Sequence, residues 1–359
     1  MQPVIHGGDI YHNEVELDFS VNINPFGIPK NVKEAMRQSI ELCEHYPDIY
    51  HTELTAQIGE KYKIPKEYIL CGNGASELFV AIVHAVKPKK IVIPVPSFYG
   101  YERAAGVCDA KVSYYEMKEK DNFCLTGAFL QELKEDMDLL FLANPNNPVG
   151  NTIEESLLTR LCDRCKELNI MVVFDECFLE FTKKEGFFER HALKDYPNVI
   201  VVKAFTKLYA IPGVRLGYLF CGDKKMAAQI EKQLPEWNIS TVAEAAGIAA
   251  LKETEYCSRA VSYLAAEQNY LKTELEKLNI HSYPGEADFL LLKTKLPLYD
   301  CLLEKKILIR DCGNYRGLQK GYYRIAVKRH EENERLIKEL AAIKKANTLA
   351  KQGECDGAD

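Results

Sequence analysis

Lys207 sits in FTKLYAIPGVRLGY, residues 205–218, just past an apolar run, NVIVVKAF (198–205), that reads as a buried parallel strand. A lysine at the end of such a strand costs free energy unless it is paired or chemically used. One use is condensation with a carbonyl cofactor, for which the amine is the covalent anchor. The plain alternative is a surface lysine on a loop. Arg215 follows eight residues later, after a turn containing Pro212 and Gly213. Asp175 ends a second apolar run, IMVVFDEC (170–177), behind five apolar residues. A carboxylate buried there needs a cationic partner, unless it only caps the next helix. Arg310 in KILIRDC (306–312) and Arg324 in YYRIAVK (322–328) interrupt apolar strands in the same way. Their planar forks suit a carboxylate or phosphate, or two structural salt bridges.

These groups need elements to carry them. The strand YILC (68–71) runs through Gly72-Asn73-Gly74-Ala75-Ser76-Glu77 into a helix with Leu78, Phe79, Ile82, Val83 and Val86 on its apolar side. Strand, glycine turn and helix together offer N–H groups and a positive dipole end to a phosphate. Two more strands, KKIVIPVP (89–96) and DLLFLANP (138–145), lead to Phe98 and to the tight loop PNNPVG, residues 145–150. Loops at the carboxyl ends of strands are where α/β folds hold ligands. Near the N-terminus, His6-Gly7-Gly8 and DFSVNINP (18–25) form two polar clusters, the second running into a turn at Pro25 and Gly27.

Helical periodicity covers 30–44, 53–62, 153–168, 242–252, 255–278 and the segment ENERLIKELAAIKK. After Tyr218 the strands 287–294, 306–312 and 322–328 alternate with helices, as in a smaller α+β domain. Residues from about 347 are polar and are expected to be disordered.

The bulk numbers exclude several classes. At 359 residues the chain is long enough for one large and one small domain. A net charge of −6 without a basic run argues against nucleic acid. No apolar stretch approaches the roughly 20 residues that span a bilayer. The N-terminus lacks the pattern of a signal peptide, so the protein is expected in the cytoplasm. Of twelve cysteines, Cys71, Cys108, Cys177 and Cys221 read as small buried hydrophobes. Cys162 and Cys165 lie three apart on one helix face, and without a second ligand pair nearby they do not read as a zinc site. Cys355 lies in the polar tail and is expected to be exposed.

The stretch TKLYAIPGVRLGY resembles the lysine segment of fold-type I pyridoxal-phosphate enzymes. It is most similar to that of threonine-phosphate decarboxylases, with histidinol-phosphate aminotransferases next. The resemblance extends from His6 to about Leu340, and it implies a mostly parallel sheet sandwiched by helices, with a small domain built from both chain ends. The implied boundaries are an N-terminal arm (1–45), a large cofactor domain (46–235), a small domain (236–346) and a tail (347–359). By resemblance, Lys207 carries pyridoxal 5'-phosphate and Asp175 pairs with its pyridine nitrogen. Gly74, Ala75, Ser76, Thr206 and Arg215 hold the phosphate, Phe98 stacks on the ring, and Asn147 bonds its phenolic oxygen. Tyr46, in the segment Tyr46-Pro47-Asp48, reaches the phosphate of a neighbouring subunit, which implies a homodimer. His6, Gly7, Asn22, Asn147, Arg310 and Arg324 line the substrate pocket. The implied reaction is decarboxylation of L-threonine O-3-phosphate to (R)-1-aminopropan-2-ol O-phosphate, a step of cobalamin biosynthesis. Histidinol-phosphate aminotransfer is the alternative, and no metal is implied. Two positions depart from the wider pattern. Phe178 stands where aminotransferases carry tyrosine, and Ala204 stands where a phosphate-binding Ser or Thr is usual.

Overall fold

The computed structural model describes residues 6–356, with side chains through residue 349. In chain order the strands are β1 (Leu17–Asp18), β2 (Ile69–Gly72), β3 (Lys90–Val95), β4 (Lys111–Glu116), β5 (Leu139–Ala143), β6 (Met171–Asp175) and β7 (Val199–Ala204). They continue with β8 (Gly217–Cys221), β9 (His281–Ser282), β10 (Phe289–Lys293), β11 (Ile307–Leu308), β12 (Arg310–Asp311) and β13 (Tyr322–Ala326). The helices are α1 (Lys30–Ser39), α2 (Thr52–Tyr62), α3 (Ala75–Val86), α4 (Gly100–Ala105), α5 (Glu155–Glu167) and α6 (Phe187–Arg190). After them come α7 (Lys224–Glu231), α8 (Thr241–Leu251), α9 (Thr254–Lys277), α10 (Leu298–Leu303) and α11 (His330–Asp356).

Seven strands form one sheet in the order β2-β8-β7-β6-β5-β3-β4, parallel except for β8, which runs against both its neighbours. The strands β5 and β7 are buried at every residue, which explains their apolar sequence, broken only by Lys203 in β7. Alternate residues feed two cores. Phe141, Val173 and Val202 pack with Phe79 and Tyr101 on one face. Leu140, Leu142, Val172, Phe174 and Val201 pack with Leu158 and Leu161 on the other. Because β5 and β6 pair in register, Ala143 lies opposite Asp175, and three parallel strands end together at Ala143, Asp175 and Ala204.

A second, four-stranded sheet has the order β12-β13-β10-β9 and is antiparallel. The N-terminal segment joins it to the rest: β1 pairs with β11, and Ala326 donates its N–H to Phe19 O. The run 306–312 is therefore not one strand. Ile307–Leu308 pair with β1, while Arg310–Asp311 pair with β13. Sequence analysis also leaves out β4, the edge strand, and the helix α11 continues through Asp356 where an irregular tail is expected. The segment IKKANTLAKQ is rich in helix formers and has no proline, so nothing stops the helix. Cys355 lies outside the described side chains. No helix among the described residues is long and apolar enough to cross a membrane.

Candidate active site

A cavity of about 260 Å³ opens where the three parallel strands end. It collects Ala75, Ser76, Phe98, Asn147, Asp175, Thr206, Lys207 and Arg215 from the large-sheet layer. His6, Gly7 and Asn22 come from the N-terminal segment, and Arg310 and Arg324 from the four-stranded sheet. Two expected residues are placed elsewhere. Gly74 lies behind the wall, and Tyr46 lines a separate depression with Arg215, Asn73 and Trp237.

The anion-binding corner begins at the amino end of α3. No side chain caps this helix, so the N–H groups of its first turn are available to a bound anion. Gly74 precedes it at φ +78, and a Cβ there would come 2.5 Å from Arg215 Nη2. Only glycine takes that backbone shape without strain while leaving the guanidinium in place. Thr206 adds a hydroxyl to the lining, and Ala204 brings only a methyl.

Lys207 follows two residues after Phe205 and makes no side-chain hydrogen bond among the described residues. The Phe178 ring centroid lies 5.5 Å from its Nζ. Burial depresses its pKa. Asp288 opposes that shift, and Arg324 and Arg215 reinforce it. A neutral amine is thereby favoured, which is the nucleophilic form. Asp175 is half-buried where β6 meets the cavity, so it is less enclosed than its apolar run implies. Its Oδ2 accepts the Tyr101 hydroxyl at 2.6 Å, and its Oδ1 accepts the Cys177 N–H at 3.0 Å.

Arg310 and Arg324 are direct cross-strand partners in β12 and β13, and both are nearly buried, at 5% and 6% exposure. Asn314 Oδ1 holds Arg310 Nη2 at 2.7 Å. Arg324 donates to Asn147 Oδ1 and to Ser20 O, the latter at 2.8 Å. Arg324 Nε and Asn22 Oδ1 are buried without a hydrogen-bond partner among the described residues. Beside them His6 has a lowered pKa, from partial burial and then from Arg310, Arg103 and Arg324.

Several residues in or behind the wall carry no sequence signal. Tyr101 is hidden in an ordinary helical stretch, and Tyr315 in a loop. Cys177, expected as a core residue, instead lines the cavity. Asp288 is buried with neither carboxylate oxygen hydrogen-bonded among the described residues, and burial pushes its pKa up to about 6 against the pull of Lys207 and Arg324. Cys162 and Cys165 are core residues on α5, and burial raises both thiols, Cys165 to about 12.

The family model for aminotransferase classes I and II matches residues 14–340, and the chain belongs to that family, whose members use pyridoxal phosphate. Among its relatives is the threonine-phosphate decarboxylase of Salmonella typhimurium, 38% identical over 91% of each chain. The solved histidinol-phosphate aminotransferase of Clostridium acetobutylicum superposes with a TM-score of 0.86 at 31% identity, covering 92% of this chain and 99% of that one. The fold is also that of the L-threonine-O-3-phosphate decarboxylase of Porphyromonas gingivalis, with a TM-score of 0.80 at 24% identity, covering 92% and 99%.

The site fits this cofactor. The uncapped helix end, Ser76, Thr206 and Arg215 form a donor set for its phosphate. Lys207 supplies an unpaired amine, and Asp175 a carboxylate braced by Tyr101 to face a pyridinium.

Proposed function

We propose that this chain decarboxylates L-threonine O-3-phosphate to (R)-1-aminopropan-2-ol O-phosphate, a building block for cobalamin. The observation that carries the reading is the Arg310–Arg324 pair. Like charges directly opposite each other on neighbouring strands are destabilising, and burial makes this worse. A substrate with both a phosphate and a carboxylate neutralises both forks at once. The similarity to threonine-phosphate decarboxylases points the same way.

Bound pyridoxal phosphate supplies an electron sink for the pair left on Cα when a bond there breaks. The chain's own residues do the rest. Arg310 and Arg324 bind phosphate and carboxylate and so orient the bonds at Cα, and Asn22 and His6 offer further polar contacts. Asp175 keeps the ring nitrogen protonated, with Tyr101 fixing the carboxylate. Lys207 would anchor the cofactor, and its amine could hold a proton for return to Cα. Phe178 brings no hydroxyl to the phenolic oxygen, leaving Asn147 for that contact.

We read residues 46–235 as the cofactor domain and 236–346, with the N-terminal arm, as the small domain. We also read the protein as a homodimer acting in the cytoplasm. Support for the dimer comes from Tyr46, which is 81% exposed and packs on Trp237 with ring centroids 4.8 Å apart. An exposed aromatic pair beside Arg215 is suited to a partner surface.

The deciding assay supplies L-threonine O-3-phosphate and cofactor without 2-oxoglutarate. Stoichiometric carbon dioxide and the aminopropanol phosphate are the expected products. Amino transfer dependent on 2-oxoglutarate, without carbon dioxide, would overturn the reading in favour of an aminotransferase.

A further inference from the structure

Three consecutive residues between β12 and β13 divide between the cavity arginines and the large sheet. Asn314 holds Arg310. Tyr315 lies under the Arg310 guanidinium, 5.1 Å from ring centroid to Cζ, and its hydroxyl accepts Arg324 Nη1 at 3.5 Å. Arg316 turns away from the cavity. Its Nε donates to Glu102 Oε1 on α4 at 3.2 Å, and its Cζ lies 3.9 Å from the centroid of the Tyr114 ring on β4.

The loop that arranges both cavity arginines is thus fastened to the other sheet layer, one residue from Tyr101, the brace of Asp175. Gly317 comes next at φ +83, where an added Cβ would lie 3.4 Å from Pro96 N. The fastening is modest. Arg316 is 51% exposed, and an exposed ion pair adds little alone. Stacking on an aromatic face adds a comparable amount. Such a contact can open and re-form. Asn314 and the Tyr315 ring hold the Arg310 guanidinium to the loop, whereas Arg324 is held from outside it by Asn147 and Ser20.

We propose that Arg316 is a positioning residue: its clamp between Glu102 and Tyr114 holds the 312–318 loop against the large sheet, so that Arg310 faces a phosphorylated amino acid at the right spacing from Arg324. This rests on the substrate reading above. Released from the clamp, the loop takes the Arg310 fork out of register with Arg324, and anion binding weakens while the cofactor corner is untouched.

The test uses cofactor-loaded enzyme. Arg316→Ala is expected to raise KM for L-threonine O-3-phosphate and the inhibition constant for inorganic phosphate by about tenfold, the combined worth of the two contacts. The expected kcat and cofactor absorbance are those of the wild type. Glu102→Gln breaks the same clamp from the other side, so it should raise both constants. The double variant should add little beyond the larger single effect. Unchanged constants in Arg316→Ala, or fully additive effects in the double variant, overturn the clamp. Arg310→Lys, measured alongside, separates the two ideas. A rise in both constants there, with none in Arg316→Ala, removes the clamp and keeps the substrate reading. No rise in Arg310→Lys removes the substrate reading and the clamp with it.

Discussion

Lys203 and Lys207 are four residues apart and have opposite fates. Lys203 is buried on the side of β7 away from the cavity, 3.4 Å from Glu176 and 3.3 Å from Glu189, with the Tyr62 ring 5.0 Å away. Burial by itself would depress its pKa, but Tyr62 and the carboxylates Glu176, Glu180 and Glu189 outweigh that and raise it. Lys207 has no such ring of acceptors, and its pKa falls. The carboxylates divide in the same way. Asp175 and Glu176 are adjacent, so strand alternation sends them to opposite faces of the sheet. Asp175 meets the cavity, and Glu176 meets Lys203. Burial of a charged group therefore does not mark a chemical role; burial without a saturating partner does.

The largest effect that can break this comparison is at Lys207. Lys207→Ala should lower kcat by on the order of a thousandfold or more. Borohydride reduction of the wild type, followed by peptide mapping, should put the pyridoxyl label on Lys207. A label on Lys203 would reverse the two roles. Next comes stability. Glu176→Leu leaves Lys203 short of a buried partner and should cost about 3 kcal/mol in thermal or urea unfolding, with kcat little changed where the protein is folded. Adding Lys203→Met should recover most of that loss.

A subtler test uses Asp288, a buried carboxylate just before β10 whose field reaches Lys207. Its folded pKa is about 6 against an ordinary 3.8, so between those values the native state binds more protons than the unfolded state. Stability is lost as pH rises through that window. Asp288→Asn cannot ionise. Relative to wild type it should therefore gain about 2–3 kcal/mol between pH 4 and pH 8. Urea unfolding at the two pH values measures it, and a pH-independent difference would show that Asp288 is not strained by burial. The smallest effect is at the phosphate corner. Ala204→Ser should tighten cofactor binding by about 0.5–1.5 kcal/mol, read by titrating apoenzyme with pyridoxal phosphate. Unchanged affinity would mean that Thr206 or water already supplies the contact.

The ends of the parallel strands were legible because a polar residue after a long apolar run has few explanations, as at Asp175. Arg310 and Arg324 stood out for the same reason. The braces were not legible. Tyr101 owes its role to Asp175, 74 residues away, and nothing in the helix sequence distinguishes it from a packed aromatic. Asp288 opens an apolar strand, as many surface aspartates do, and only the three-dimensional enclosure makes it costly. The run 306–312 has one periodicity but two partners, β1 and β13, and pairing across that distance leaves no local trace. Resemblance supplied Ala75 and His6, whose own chemistry is too ordinary to draw notice.

The facing arginines of β12 and β13 also bear on what leaves the enzyme. On the proposed reaction the substrate arrives with two anionic groups and the product departs with one, since the carboxylate is lost as carbon dioxide. One guanidinium is then left facing its cross-strand neighbour with nothing between them to offset the repulsion. The site grips the molecule it consumes more firmly than the one it makes, so turnover itself loosens the hold, and accumulated product competes poorly for re-entry.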